Sequence, residues 1–353
     1  MNPRTERLLN LAGALAVLTY FFYFTWRGLL IDFMPDDLMN CARARVAPLP
    51  HLVRDCLVWF LPTATYRPFG GLVYWLSHEW FGTWMLPMRL LVYALLLASL
   101  WLLWRVARLS EATAWTGILA CLLWSYHYGF YALYYNNGTL YDVLCSFFSL
   151  LIVVLYLEVR AAGRPLSGKR TAVMCFLYAL ALGSKEVAVA VPAVLLAWEV
   201  VNAGALRFPT RGIIALGLMT LPWLYTHLLD KAALTSMEAY RPEYSWRQFN
   251  GTFRSYMSEL FDRYMAVDPG YAYAAILLLL AVGLRFRAKP VLFGLAFFGL
   301  AYLPLGFVGA RSPYAIHLSV AGLALAAGGA LDQVTRVVAG GRLEIPRRVA
   351  LLA

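Results

Sequence analysis

LPMRLLVYALLLASLWLLW, residues 86–104, decides the class of fold. It is an apolar run that can span, or nearly span, a hydrocarbon core about 30 Å thick. Runs of the same kind stand at 8–24, 114–134 and 290–308 and recur along the whole chain. Inside lipid every backbone N–H and C=O needs an internal partner, so such runs read as helices. Composition agrees: 61% of the 353 residues are hydrophobic and 14% charged, against about 25% charged in an ordinary soluble domain. The expectation is an all-α polytopic transmembrane helix bundle, one domain over 1–353, crossing the bilayer about ten times. The run at 8–24 follows Arg4 and Arg7, is too long for a signal-peptide core and precedes no small-residue cleavage site; it reads as a retained anchor. Residues 347–353 read as a basic flank and the start of a truncated eleventh span.

Charge gives the expected orientation. With the N-terminus in the cytoplasm and sides alternating at each span, 17 of the 30 Lys/Arg fall inside, with only 6 of the 19 Asp/Glu. The whole net charge of +11 then lies on the cytoplasmic side, which is the positive-inside pattern. Nucleic-acid binding needs a basic patch on a soluble face, and the sequence has no soluble domain to carry one. Residues 171–201 allow two readings: one long helix with Lys185 and Glu186 in its middle, or two short helices meeting at 184–186. The first reading places the basic loop at 285–289 outside; the second keeps the charge rule and is preferred.

Two long outer segments break the rhythm. Residues 31–84 hold short amphipathic stretches at 51–61 and 69–81, suited to juxtamembrane helices. Residues 230–271 mix charges with Tyr240, Tyr244, Trp246, Phe253 and Tyr256. Cys41 and Cys56 share the first of these segments, as a disulfide or as two free thiols; Cys121, Cys145 and Cys175 read as packing residues within spans. The sequons at Asn137 and Asn250 face outward, where they would invite glycosylation in an endoplasmic reticulum. With the compact loops, this favours a bacterial inner membrane.

Ionisable groups at membrane depth are costly and mark functional sites. Five places on the outer side qualify. Asp32, Asp36 and Asp37 follow the first span: a carboxylate here can act as a general base or bind a metal, or can cap the helix after Pro35. Tyr66-Arg67-Pro68-Phe69 offers a guanidinium for phosphate or an interface anchor. Asp142 opens a strongly apolar helix, where a dipole contact is a sufficient explanation. Ser184-Lys185-Glu186 is the hinge, and adjacent helical residues point about 100° apart, so Lys185 and Glu186 are expected to face different partners. Arg311-Ser312-Pro313-Tyr314, with His317 beyond, fits phosphate binding and snorkelling equally. There is no zinc spacing, Gly-rich phosphate loop, nucleophile elbow or dinucleotide fingerprint.

The order of these motifs resembles the GT-C superfamily of polytopic glycosyltransferases, especially protein O-mannosyltransferase-like members. SKEVAVAVPAVLLAWE, residues 184–199, is the closest match; the acidic pair and Arg67-Pro68 are weaker ones. The resemblance covers nearly the whole chain in topology but only about four short motifs in sequence. It implies transfer of a sugar from a polyprenyl-phosphate or polyprenyl-diphosphate carrier to a hydroxyl on a protein, lipid or glycan acceptor, at the periplasmic face and with inversion. It places the catalytic acid at Asp36, with Asp37 as alternate, and the lipid phosphate on Arg67, Lys185 and Arg311. Glu186, Tyr314, His317 and Asp142 would support them, amid membrane lipids. A divalent cation, Mg or Mn, would bind Asp36 or Asp37 if one is required. The chain departs from the family in lacking further spans or a soluble C-terminal domain, and in carrying Asp-Asp where eukaryotic mannosyltransferases have Asp-Glu. The rival readings are a transporter or flippase of a lipid-linked glycan, which calls for paired broken helices in related halves, and an inactive accessory subunit.

Overall fold

The computed structural model describes residues 3–58, 60, 67–203, 210–229, 241–261 and 270–338. Among them there is no β-strand. The chain runs through α1 (Pro3–Thr25), α2 (Pro35–Val46), α3 (Leu49–Leu57), α4 (Pro68–Phe81), α5 (Leu86–Leu109), α6 (Ala114–Ser125), α7 (Tyr131–Tyr135) and α8 (Leu140–Ala161). It continues through α9 (Gly168–Leu182), α10 (Val191–Ala203), α11 (Arg211–Leu229), α12 (Trp246–Phe261), α13 (Gly270–Phe286), α14 (Lys289–Gly306) and α15 (His317–Val338). Among the described residues, six segments are long and apolar enough to cross a membrane: Arg4–Leu30, Leu86–Leu109, Asn137–Ala161, Glu186–Ala203, Lys289–Gly306 and Pro313–Val338. Three shorter apolar helices accompany them, Ala114–Ser125, Arg211–Tyr225 and Gly270–Phe286. The chain is a membrane protein built as a helical bundle. Residues 230–240, 262–269 and 339–353, with Tyr66, Tyr240 and the proposed eleventh span, lie outside the described residues.

α8 and α15 form the centre, and α15 lies along α14 and α6 while α5 lies along α8 and α6. Small residues set this spacing. A Cβ at Gly294 of α14 would stand 2.6 Å from the carbonyl oxygen of Gly322, and one at Gly322 of α15 would stand 2.6 Å from the amide of Phe298. The two backbones therefore touch, and in lipid such close approach through small residues is a main source of helix association.

Two breaks interrupt the apolar helices. α9 stops at Leu182, Lys185 is extended (φ −158°, ψ 147°), and a 3-10 turn at Glu186–Ala190 leads into α10. Of the two readings of 171–201, the structure takes the two short helices. The second break corrects an expectation: 114–134 is not one helix. α6 ends at Ser125, and Tyr126 and His127 are extended. The ends that this exposes are bonded locally: Tyr134 OH donates to the Ser125 carbonyl (3.1 Å), and the Gly129 N–H donates to His127 Nδ1 (3.0 Å). Side chains thus satisfy backbone groups that lipid could not.

The ion pairs fall into two groups by the side that the alternating placement gives their residues. One holds Arg108–Glu6, Arg105 and Arg170 on Glu158, Arg160–Glu199, Lys289–Glu111 and Arg336–Asp332. The other holds Arg67–Glu186, Arg89–Asp37, Lys185–Asp142 and Arg54–Asp55. None of these pairs joins residues that the alternating placement puts on opposite faces. Residues 31–84 do carry short helices, α2 to α4. Cys41 and Cys56 within them are free thiols, so the disulfide alternative is not realised. Both sequons are closed: Asn137 and Thr139 are buried, and Thr252 is buried with its hydroxyl on the Val308 carbonyl (2.9 Å). They therefore do not discriminate between membrane compartments.

Candidate functional site

The site is built from four stretches. The first is the start of α2, Met34-Pro35-Asp36-Asp37, where Pro35 fixes the first turn. Asp37 is fully buried. Its carboxylate accepts the Met34 N–H (3.0 Å) and the Tyr74 hydroxyl (3.3 Å), and Arg89 Nη2 lies 3.8 Å away. Burial pushes this carboxyl above its ordinary range, while the Met34 amide and Arg89 pull it down. The Tyr74 phenol is pushed well up by burial and by the neighbouring Asp37 charge. Asp37 is thus the helix-capping acid that the sequence allows. As an alternate catalytic base it is poorly placed, because its oxygens are taken and shut off from solvent.

Asp36, the next residue around the helix, is exposed. One of its oxygens accepts the amide of Asn136 (2.9 Å). Gly138 lies against it: a Cβ there would stand 2.5 Å from Asp36 Cβ.

Arg89 escaped the sequence reading. It is 1% exposed, and besides facing Asp37 it donates to the Asp32 carbonyl (3.1 Å). A signal was present: it is a lone charge inside the apolar run 86–104, the kind of residue expected to carry function or find a partner.

The second stretch is Arg67, in the left-handed region (φ 55°) at the start of α4. Its guanidinium grips Glu186 through both oxygens (2.7 and 2.8 Å), the fork geometry that suits Arg to carboxylate. It also stands 5.7 Å from the centre of the Tyr141 ring, whose hydroxyl donates to Asn40 (3.1 Å). The Phe69 N–H donates to Gly183 O (3.1 Å), tying α4 to the hinge.

The third is the hinge itself. Lys185 is buried and bonds the Asp142 carboxylate, while Glu186 turns to Arg67. The two neighbours take different partners. Asp142 stands in the first turn of α8, where the dipole reading put it, and its carboxylate also bonds Lys185.

The fourth is the segment from Arg311. Its N–H donates to Tyr256 OH (3.2 Å). Arg311, Lys185 and Glu186 line one cavity of about 340 Å³, whose other walls include Trp223, Leu303, Phe307 and Val308. Tyr314 lies beside the hinge: Lys185 Nζ stands 5.7 Å from its ring. His317 does not join them in the cavity. It is buried in the bundle core, stacked on Trp124 (centroids 4.3 Å apart) with Nδ1 3.2 Å from Ser146 Oγ.

Three cations, Arg67, Lys185 and Arg311, therefore gather with three carboxylates, Glu186, Asp142 and Asp36. Among the described residues no group of three or more His, Cys, Asp or Glu is arranged to hold a metal ion. Comparison of the chain with models of known protein families, with curated proteins and with solved structures finds no match. The arrangement places Lys185, Glu186 and Arg311 at the polar part of one cavity whose other walls are apolar.

Proposed function

We propose that the chain is a membrane glycosyltransferase of GT-C-like architecture, resembling the protein O-mannosyltransferases, with about ten spans, a cytoplasmic N-terminus and a site on the periplasmic side of an inner membrane. The observation that carries this reading is the hinge, where Lys185 bonds Asp142 and Glu186 bonds Arg67, beside a cavity that Lys185, Glu186 and Arg311 share with apolar walls. A sugar on a polyprenyl phosphate or diphosphate matches both features of that cavity. Its phosphate meets Lys185 and Arg311, with Arg67 behind them on Glu186, and its prenyl tail lies along Trp223, Leu303 and Phe307.

In the reaction, Asp36 takes the proton from the acceptor hydroxyl as that oxygen bonds the anomeric carbon. The bond from that carbon to the phosphate oxygen breaks, and its electron pair leaves with the polyprenyl phosphate. One displacement inverts the anomeric centre. Preorganised cations beside a low-dielectric wall stabilise the charge that grows on the leaving phosphate.

A second reading, transport of a lipid-linked glycan, draws on the second helix break at Tyr126–His127, since transporters build sites from paired discontinuous helices. Reconstitution of Asp36→Asn separates the two. Transfer of radiolabelled sugar from decaprenyl-phosphate mannose, glucose or galactose to membrane protein or lipid should be lost in the variant. Movement of labelled lipid-linked sugar across the bilayer that survives the substitution would favour the transporter instead.

A further inference from the structure

The segment Asn136-Asn137-Gly138-Thr139 has so far supplied only a neighbour for Asp36, yet its hydrogen bonding is unusually complete. Each polar group of Asn136 is engaged. Its N–H donates to Ala132 O (2.9 Å), and its carbonyl accepts the Thr139 hydroxyl (2.7 Å). Its side-chain oxygen accepts the Gly138 N–H (2.8 Å), closing an Asx turn. That last bond settles which way the amide faces. With Oδ1 held by the turn, Nδ2 is directed at Asp36 Oδ2, 2.9 Å away. The donor is thus fixed from two sides, by the end of α7 and by the turn, before it meets the carboxylate.

We infer that Asn136 is the positioning residue of Asp36: its amide holds one carboxylate oxygen and so presents the other to the acceptor hydroxyl. The inference rests on the proposed role of Asp36 as base. Its physical logic is that of any general base, which must sit within about 3 Å of the proton it removes and in a fixed orientation. A single hydrogen bond from a locked amide supplies that orientation without adding charge.

Asn136→Asp distinguishes this role from turn formation. A carboxylate at 136 still accepts the Gly138 N–H, so the turn survives, but it can no longer donate to Asp36. The measurement is release of polyprenyl phosphate by purified full-length protein in detergent. The donors are decaprenyl-phosphate mannose, glucose and galactose, with membrane protein and lipid as acceptors. The expected result is a kcat at least about ten-fold lower with an unchanged donor KM. Melting followed by tryptophan fluorescence should match the unsubstituted protein. Asn136→Ala loses both turn and donor; if it fails to fold, Asn136→Asp alone decides.

Asn136→Asp with unchanged kcat, while Asp36→Asn is inactive, overturns the positioning role and leaves the base assignment standing. Full activity in Asp36→Asn, or no turnover of any of the three donors by the unsubstituted protein, counts against the transferase reading itself.

Discussion

The guanidinium of Arg89 lies 3.8 Å from the carboxylate of Asp37, and both side chains are sealed from solvent. Fifty-two positions apart in the chain, they fasten the start of α2 to α5 beside Asp36. Taking two charges out of water is costly, and their attraction offsets that cost only with good geometry and further hydrogen bonds. Met34 and Tyr74 supply such bonds to Asp37 and the Asp32 carbonyl supplies one to Arg89, whose Nε is left without a partner. Removing one partner leaves the other as an uncompensated buried charge. Arg89→Met should destabilise the protein by about 3–5 kcal/mol, and Arg89→Met with Asp37→Leu should recover most of that loss. Thermal melting of both variants in one detergent checks this.

Asp37 also gives a pH dependence with a defined sign. Burial raises its carboxyl above 3.8 in the folded protein, so the native state holds the proton more tightly than the unfolded chain does. The resulting stabilisation is complete below pH 3.8 and is lost as pH rises through the folded-state value. Melting temperatures of the unsubstituted protein should therefore fall relative to Asp37→Asn as pH rises through that window. Parallel curves for the two proteins would show that Asp37 does not titrate as its surroundings dictate.

The buried Lys185–Asp142 pair separates structure from function. Lys185→Met alone strands Asp142 and should cost about 3–5 kcal/mol. Adding Asp142→Leu should restore the melting temperature but not turnover of the lipid-phosphate donor, because the cation that faces the phosphate is still missing. Restored turnover would mean that Lys185 serves only to neutralise Asp142.

Gly138 tests how tightly Asp36 is seated. A Cβ at 138 would come within 2.5 Å of Asp36 Cβ and 2.9 Å of Asn136 Oδ1. Gly138→Ala should push the acid off Asn136, lowering turnover at least about ten-fold for a stability loss of about 1–3 kcal/mol. Assaying release of polyprenyl phosphate beside a melting curve reads both effects.

Much of this organisation could be read from residue order, and the misses have physical causes. Lys185-Glu186 betrayed the hinge because two charges interrupt an apolar run, and neither tolerates lipid unpaired. The break at Tyr126–His127 carries no such mark: it has no Pro, and its aromatic flanks read as one more stretch of span. Only the fold brings Tyr134 back to the Ser125 carbonyl. Arg89 was legible by the same rule that exposed Lys185, but it sits four residues into an otherwise apolar run and was absorbed into it. The partners of Asp142 and Arg67 lie 43 and 119 positions away, and nothing local encodes such pairings. Asp37 shows the reverse: capping is a sufficient local reading, and the fold adds the Tyr74 hydroxyl and the Arg89 guanidinium behind it.

The central claim is spatial, and a ligand-bound structure tests it most directly. The protein would be imaged in a lipid nanodisc with a non-transferable phosphonate analogue of decaprenyl-phosphate mannose. The phosphonate should lie within about 3 Å of Arg311 and Lys185, with the prenyl chain along Trp223 and Phe307 and the anomeric carbon turned toward Asp36. A phosphonate bound away from Arg311 and Lys185, or a sugar on the far side of the bundle from Asp36, would contradict it.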